Sequence, residues 1–222
     1  MEHRLESILF DLDGTLLDTA PDLALALNTV LSEEDKPNLS VSQIRPFVSQ
    51  GARGLVELGF GKGLDDIFLR SLTQRLVDIY SANIARETQP FPGVTEVIED
   101  IETRGFRWGI VTNKRTSLTE QLLDQLGLFS NASCVICGDT TAKSKPHPEP
   151  LFEACKQVES TPADCVYIGD AAKDIEAGRS AGMRTLAALY GYIGEHDHPE
   201  QWGATAVISS PGDLLLWLDS LS

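Results

Sequence analysis

Short apolar runs alternate with helical patterns through the second half of the chain, and this alternation constrains the fold more than any other feature. Each run is almost continuously apolar, as expected for strands whose sheet is covered by helices on both faces. Such βα repetition is typical of parallel sheets. The sequence therefore predicts an α/β fold, a Rossmann-like doubly wound parallel sheet. The predicted strands are ESILF (6–10), FRWGIVT (106–112), SCVIC (133–137), DCVYIGD (164–170) and RTLAAL (184–189). A further short strand is predicted at ATAVI (204–208), but periodicity alone does not settle its place in the sheet.

The alternation of strands and helices is absent between Asp18 and about Pro90, where only helical periodicity is found. Glycines separate these helical patterns, and the FPG motif at 91–93 ends them. Because the segment follows the first strand, we expect it over the carboxyl edge of the sheet, where open α/β folds bind ligands. We predict an all-helical cap at residues 19–90, inserted into a core domain of residues 1–18 and 91–222.

The charge balance limits the possible partners. The 222 residues carry a formal net charge of −15, so nucleic acid and anionic membranes are repelled, and an anionic substrate must be captured locally. No secretory leader pattern or membrane-length apolar run is present. We expect a cytoplasmic protein, monomeric or homodimeric, without nucleic-acid or membrane partners. The cysteines are expected to be small buried apolar groups, not disulfides or metal ligands: Cys134, Cys137, Cys155 and Cys165.

Polar residues follow the predicted strands at the points where they end. Asp11 and Asp13 come directly after the first strand, two residues apart, so an extended backbone directs both side chains to one face. Alone, this pair also fits a polar strand end with an Asp-Gly turn, and the later candidates fit helix caps, turns or solvated charges. Their repetition at successive strand ends favours one shared site. The later candidates are Thr112, Asn113, Lys114, Lys145, Asp170 and Asp174.

With these residues in place, the sequence resembles the haloacid dehalogenase-like hydrolase superfamily of aspartate-nucleophile phosphatases. The resemblance covers nearly the whole chain, including the position of the helical cap. The DLDGT motif alone is moderately specific, whereas four motifs in this order are highly specific. The four are DLDGT at 11–15, VTN at 111–113, SKP at 144–146 and GDAAKD at 169–174.

The resemblance implies a role for each catalytic candidate. Asp11 would be the nucleophile, forming an aspartyl-phosphate that divides a difficult hydrolysis into two easier steps. Asp13 would be the general acid and base, and would function best with a raised pKa. Thr112 and Lys145 would hold phosphoryl oxygens, and Lys145 would also offset the charge of Asp11.

The resemblance also implies Mg²⁺, because two carboxylates and a phosphate in one pocket need a cation. Oxygen ligands suit this hard ion, which binds through a few carboxylates, substrate phosphate and water. By resemblance, the ligands would be the side chains of Asp11 and Asp170 and the backbone carbonyl of Asp13. Asp174 would assist from outside the ligand set or through water.

The substrate is less constrained than the reaction. Arg53, in the SQGARG segment at 49–54, could reach a substrate carboxylate or hydroxyl, although an exposed arginine at a helix start explains it equally well. Lys114 and Asn113 are further candidates for substrate contact. The layout is most similar to the phosphoglycolate phosphatase group, with the N-acetylmuramic acid 6-phosphate phosphatases close behind. We therefore expect a small phosphorylated metabolite as the partner.

Two alternatives stay open at this point. A mutase of the β-phosphoglucomutase type shares the core motifs and a helical cap. A non-catalytic phosphate- or metal-binding module belongs to a different functional class, and the sequence argues against it because Asp13 has no obvious task in binding alone. A dehalogenase is disfavoured, since it needs neither Asp13 nor Asp170.

Overall fold

The computed structural model describes residues 4–221, and its central feature is a parallel sheet. Within that range six strands form the sheet, and two very short strands pair separately. The strands are β1 (Ser7–Phe10), β2 (Leu17–Asp18), β3 (Gln89–Pro90), β4 (Arg107–Val111), β5 (Cys134–Ile136), β6 (Cys165–Gly169), β7 (Arg184–Ala188) and β8 (Ala206–Ile208).

The order of strands across the sheet is β5-β4-β1-β6-β7-β8, and every neighbouring pair is parallel. The predicted doubly wound α/β fold is therefore confirmed, and each apolar run singled out in the sequence forms a strand. The α-helices of the described residues are α1 (Ala20–Glu33), α2 (Val41–Ile44), α3 (Gly51–Phe60), α4 (Asp66–Ala82), α5 (Val94–Thr103), α6 (Thr116–Leu126), α7 (Glu149–Gln157), α8 (Ala172–Ala181) and α9 (Asp213–Asp219).

Helices cover both faces of the sheet, because the strands are apolar on both sides. Successive side chains of a strand point to opposite faces. In β1, Ile8 and Phe10 join one buried cluster, which includes residues of α5 and α9, while Leu9 joins a second cluster with residues of α7 and α8. Both faces of the central strand are therefore fully excluded from water.

Helices α1 to α4 form a separate layer that follows β1 and β2 in the chain, and we call residues 20–82 the helical insertion. Its own apolar faces pack together, and Leu27, Leu55, Leu72 and Leu76 are each completely buried. The first cluster of the sheet continues into this layer without a break. The limits of the cap at residues 19 and 90 stay a prediction.

Both chain crossings into the helical insertion are tied together. Strand β2 pairs with β3 in antiparallel fashion, with Asp18 opposite Gln89, although the sequence contains no signal for strands of only two residues. Asp22 in α1 is completely buried and accepts hydrogen bonds from the backbone N–H groups of residues 86, 87 and 88 at 2.9 to 3.1 Å. The first helix of the insertion therefore fixes the backbone that returns from the insertion to the sheet domain.

The cysteines behave as the sequence predicts. All four are free and buried, and burial raises the pKa of the Cys134 and Cys137 thiols. Among residues 4–221, each helix is too short or too polar to cross a lipid bilayer.

Candidate active site

The carboxyl ends of the central strands meet at one edge of the sheet. Phe10 of β1 pairs with Ile110 of β4 and with Ile168 of β6, so the residues that follow these strands lie side by side. This arrangement follows from parallel strands in register. The polar residues gathered here, all buried, are Asp11, Thr112, Lys145, Asp170 and Asp174.

Lys145 is the central cation of this group, and its side chain is shielded from solvent. Its Nζ lies 3.0 Å from Asp11 Oδ1 and 2.7 Å from Asp174 Oδ1. It also donates to the carbonyl of Val111 at 2.9 Å and to the hydroxyl of Tyr167 at 2.6 Å. Burial alone would lower the pKa of Lys145, but the two carboxylates outweigh burial and raise it. Lys145 is therefore held in its charged form.

Three buried carboxylates surround a small volume beside Lys145. Asp11, Asp170 and Asp174 each offer an oxygen atom within 4.8 Å of the others. Burial and repulsion from Asp174 raise the pKa of Asp11 to about 6, against the charge of Lys145. Burial and repulsion from Asp174 and Asp11 raise the pKa of Asp170 to about 7. The three carboxylates carry more negative charge than Lys145 can balance. Their oxygen atoms are therefore suited to binding a hard divalent cation such as Mg²⁺.

Two glycines allow the backbone to approach Asp170 closely. Gly14 has φ +87°, and a Cβ there would lie 2.3 Å from Asp170 Oδ2. A Cβ on Gly191 would lie 2.3 Å from Asp170 Cβ. Asp170 also accepts hydrogen bonds from the Thr15 hydroxyl at 3.3 Å and the Tyr192 N–H at 3.0 Å. The glycine of the DLDGT motif is thus required by contact with the GDAAKD motif.

Asp13 lies at the more open side of the site, next to Lys114. Its Oδ1 accepts hydrogen bonds from the Thr19 hydroxyl at 2.6 Å and from Lys114 Nζ at 2.9 Å. Lys114 also lies over the ring of Tyr80, with Nζ 4.6 Å from the centroid. Burial alone would raise the pKa of Asp13, but Lys114 and Thr19 outweigh burial and lower it. In this arrangement the pKa of Asp13 is therefore lowered and not raised, because a cation is paired directly with the carboxylate.

Thr112 and Asn113 organise the neighbouring loops. Thr112 Oγ1 accepts a hydrogen bond from the backbone N–H of Lys114 at 3.1 Å. The Asn113 amide pairs with the backbone of Lys145 in both directions, donating to its carbonyl at 2.9 Å and accepting from its N–H at 3.0 Å. Asn113 therefore fixes the backbone from which the Lys145 side chain enters the site.

The helical insertion reaches the site through Ser49. The Ser49 hydroxyl donates to Asp170 Oδ2 at 2.9 Å, and Lys173 of α8 donates to the Ser49 carbonyl. Arg53 lies further from the carboxylates: its side chain is 68% exposed and forms a salt bridge of 3.0 Å with Glu57 on the same helix. Of the SQGARG segment, Ser49 is the residue that contacts the site in this arrangement.

Three residues close to the site are missed by sequence reasoning. Tyr167 lies within an apolar strand, where only its hydroxyl distinguishes it from a core residue. Tyr192 lies in an irregular loop, and its hydroxyl accepts the backbone N–H of Thr19 at 2.7 Å. Thr19 itself donates to Asp13 and follows the DLDGT motif by four residues. Buried hydroxyls need partners, and Tyr192 is only 2% exposed, but its burial is seen in the structure and not in the sequence.

Comparison with known proteins identifies the family. Residues 8–188 match the family model described as haloacid dehalogenase-like hydrolase. The chain is 39% identical over 216 residues to an N-acetylmuramic acid 6-phosphate phosphatase of Pseudomonas aeruginosa, covering 97% of this chain and 96% of that protein. It is 40% identical over 208 residues to a phosphoglycolate phosphatase of Xanthomonas campestris pv. campestris, covering 94% of each chain.

A solved structure of similar architecture agrees with these relatives. It is that of a predicted phosphoglycolate phosphatase from Haemophilus somnus, with a TM-score of 0.85 and 26% identity, covering 96% of this chain and 97% of that one. The chain belongs to the haloacid dehalogenase-like hydrolase family. The expected enzyme class, a phosphoric monoester hydrolase, is confirmed by the phosphatases that match it along nearly their whole length.

Proposed function

We propose that this enzyme is a Mg²⁺-dependent phosphatase that hydrolyses a small phosphorylated metabolite through an aspartyl-phosphate on Asp11. The observation that carries the proposal is the buried arrangement of Asp11, Lys145, Asp170 and Asp174 at the carboxyl edge of the sheet. A cytoplasmic location and a monomeric or homodimeric state stay predictions. They do not affect the chemistry below.

Asp11 is suited to attack phosphorus because its two oxygens differ. Oδ1 accepts hydrogen bonds from the backbone N–H of Leu12 at 2.8 Å and from Lys145, so Oδ2 is the oxygen that we expect to attack. The positive charge of Lys145 also favours the ionised form that a nucleophile requires. Thr112, 3% exposed at the end of β4, is placed to donate its hydroxyl proton to a phosphoryl oxygen.

Asp13 is the proposed general acid and base. To protonate the leaving oxygen it must carry a proton, which the pairing with Lys114 opposes. We therefore infer that substrate draws Lys114 away from Asp13, which would let burial raise the pKa of Asp13. In this proposal the Lys114 ammonium exchanges its contact with Asp13 for a contact with the substrate.

The proposed Mg²⁺ would be held by Asp11, Asp170 and the backbone carbonyl of Asp13. One carboxylate oxygen of Asp174 belongs to the cluster, but Asp174 already pairs with Lys145 at 2.7 Å. This pairing supports an indirect role for Asp174 in metal binding. When bound, the ion would neutralise charge on the transferring phosphoryl group.

The substrate type that we propose is that of the phosphoglycolate phosphatases, with N-acetylmuramic acid 6-phosphate as the alternative. Both activities are named among relatives of about 40% identity over most of the chain. A mutase of the β-phosphoglucomutase type would transfer the phosphoryl group to a sugar hydroxyl instead of water, and comparison of product with released phosphate separates the two reactions.

Replacement of the nucleophile tests the proposal most directly. Asp11→Asn should abolish phosphate release from an aryl phosphate, because an amide cannot form the aspartyl-phosphate, while Asp124→Asn on an exposed face of α6 should retain it. Excess chelator should also stop turnover by the unaltered enzyme. Substantial activity of the Asp11→Asn variant would contradict the nucleophile, and full activity in chelator would contradict the metal. Metal binding without phosphate release from any ester would revive the non-catalytic alternative.

A further inference from the structure

Three arginine side chains line one groove where the helical insertion meets the sheet domain. Arg53 belongs to α3, Arg70 to α4, and Arg115 precedes α6. The groove has a volume of about 470 Å³, which is within the usual range for small-molecule sites. Two separate parts of the fold therefore contribute positive charge to one concave surface.

This concentration of positive charge is unusual for a chain with a net charge of −15. Arg53 is paired with Glu57, whereas within residues 4–221 the Arg70 and Arg115 side chains take part in no salt bridge or hydrogen bond, although the charge of Arg115 also acts on Asp139. Asp66 is the acidic residue among the described groove-lining side chains, so positive charge is in excess there. An anion in the groove would give Arg70 and Arg115 a directly hydrogen-bonded partner.

The groove adjoins the active site on two sides. Arg115 directly follows Lys114, whose Nζ lies 2.9 Å from Asp13. Arg53 comes four residues after Ser49, whose hydroxyl lies 2.9 Å from Asp170. Both flanking segments thus pass from contact with the catalytic carboxylates to the rim of the groove within a few residues. A ligand whose phosphate lies at Asp11 can extend towards the groove.

We propose that Arg70 and Arg115, together with Arg53, bind a carboxylate at the end of the substrate remote from phosphorus. Both substrate types proposed above carry such a carboxylate, so the inference rests on the proposed phosphatase function and adds the residues that recognise the acid. Arginine suits this task because its planar guanidinium binds a carboxylate through two parallel hydrogen bonds. Since Arg70 and Arg115 come from different parts of the fold, the same carboxylate would also hold the helical insertion against the sheet domain.

The test compares substrates that differ by one carboxylate. N-Acetylmuramic acid 6-phosphate is matched with N-acetylglucosamine 6-phosphate, which lacks the lactyl acid, and 2-phosphoglycolate is matched with ethyl phosphate. Arg70→Ala and Arg115→Ala should each raise KM for the carboxylate member of one pair by about ten-fold or more, relative to its partner. Arg70→Lys, which keeps the charge but loses the fork, should show an intermediate rise.

A matched control removes the same charge elsewhere. Arg86→Ala removes a guanidinium just after the helical insertion, where Arg86 lines a different groove, and should leave the KM ratio within each pair unchanged. A selective response in the muramic pair would identify a large sugar acid, and one in the glycolate pair a small acid. Equal KM changes within both pairs, or none, would overturn the proposal.

The outcome is separable from that of the proposed function. Turnover of an aryl phosphate by the unaltered enzyme tests the phosphatase activity alone, because that ester has no carboxylate. If the enzyme releases phosphate from the aryl ester but the arginine variants do not discriminate within either pair, only the carboxylate site is refuted. If no ester is hydrolysed, the phosphatase proposal itself fails.

Discussion

The two sides of the candidate active site are held in different ways. On the sheet side, Asp11, Lys145, Asp170 and Asp174 are at most 6% exposed, and each is fixed by several partners at strand or helix ends. On the side of the helical insertion, Ser49 contributes one hydroxyl contact to Asp170, and Tyr80 one ring face to Lys114. The first side is a saturated network, and the second is a small number of separable contacts.

This difference matches the tasks proposed for the two sides. Phosphoryl transfer depends on charges placed before the reaction begins, and misplacement of about 1 Å can cost about a hundred-fold in rate. Recognition of a substrate requires instead that contacts can be released and formed again in each cycle. The difference predicts that equally small changes have very different effects on the two sides.

The largest effect is expected for Lys145→Met, which keeps most of the side-chain volume and removes the charge. Asp11 and Asp174 would lose their shared cation, so kcat should fall by about a thousand-fold or more. Unfolding free energy should fall by about 3 kcal/mol, since breaking a buried ion pair leaves carboxylates uncompensated. Steady-state kinetics and denaturant unfolding measure the two effects.

Lys156→Met provides the control for Lys145, because Lys156 pairs with Glu153 on an exposed helix surface. That variant should show no measurable change in either quantity. If both lysine variants retained activity and stability alike, the sheet side would not be the saturated network described above.

A smaller effect is expected for Gly14→Ala, where one methyl group would meet Asp170 at 2.3 Å. Displacement of this carboxylate should lower kcat/KM by about a hundred-fold. Gly105→Ala is the matched control: its φ of +83° is similar, but no atom lies within 4 Å of the added Cβ. It should cost about 1 kcal/mol of stability with unaltered kinetics. Equal kinetic losses in the two variants would attribute the effect to backbone strain alone.

The smallest effect is expected for Ser49→Ala on the side of the insertion. Loss of one hydroxyl should change the turnover of an aryl phosphate by less than about three-fold, and stability by about 1 kcal/mol or less. Measuring turnover and stability of Ser49→Ala and Gly14→Ala under the same conditions compares the insertion side directly with the sheet side. A loss as large as that of the glycine variant would show that the insertion belongs to the fixed part of the site.

The predictable part of this site is the part that strand ends determine. Asp11 and Asp170 follow apolar runs, and parallel strands in register must bring their ends together. Lys145 lies in a loop that periodicity cannot place, and only the SKP motif indicated it. The pairing of Lys114 with Asp13 depends on side-chain packing between distant segments. So does the contact of the Tyr192 hydroxyl with the backbone of Thr19, where the chain enters the helical insertion. Residue spacing contains no such information.

The short pairing of β2 with β3 has a consequence for how such enzymes can diversify. Because Asp18 lies opposite Gln89, the chain leaves the sheet domain and returns to it at neighbouring points. Whatever stands between these two residues can change in length and shape while the strands that carry Asp11 and Asp170 keep their register. The same catalytic residues can thus be combined with different inserted segments, so that substrate specificity can change by exchange of a single continuous segment.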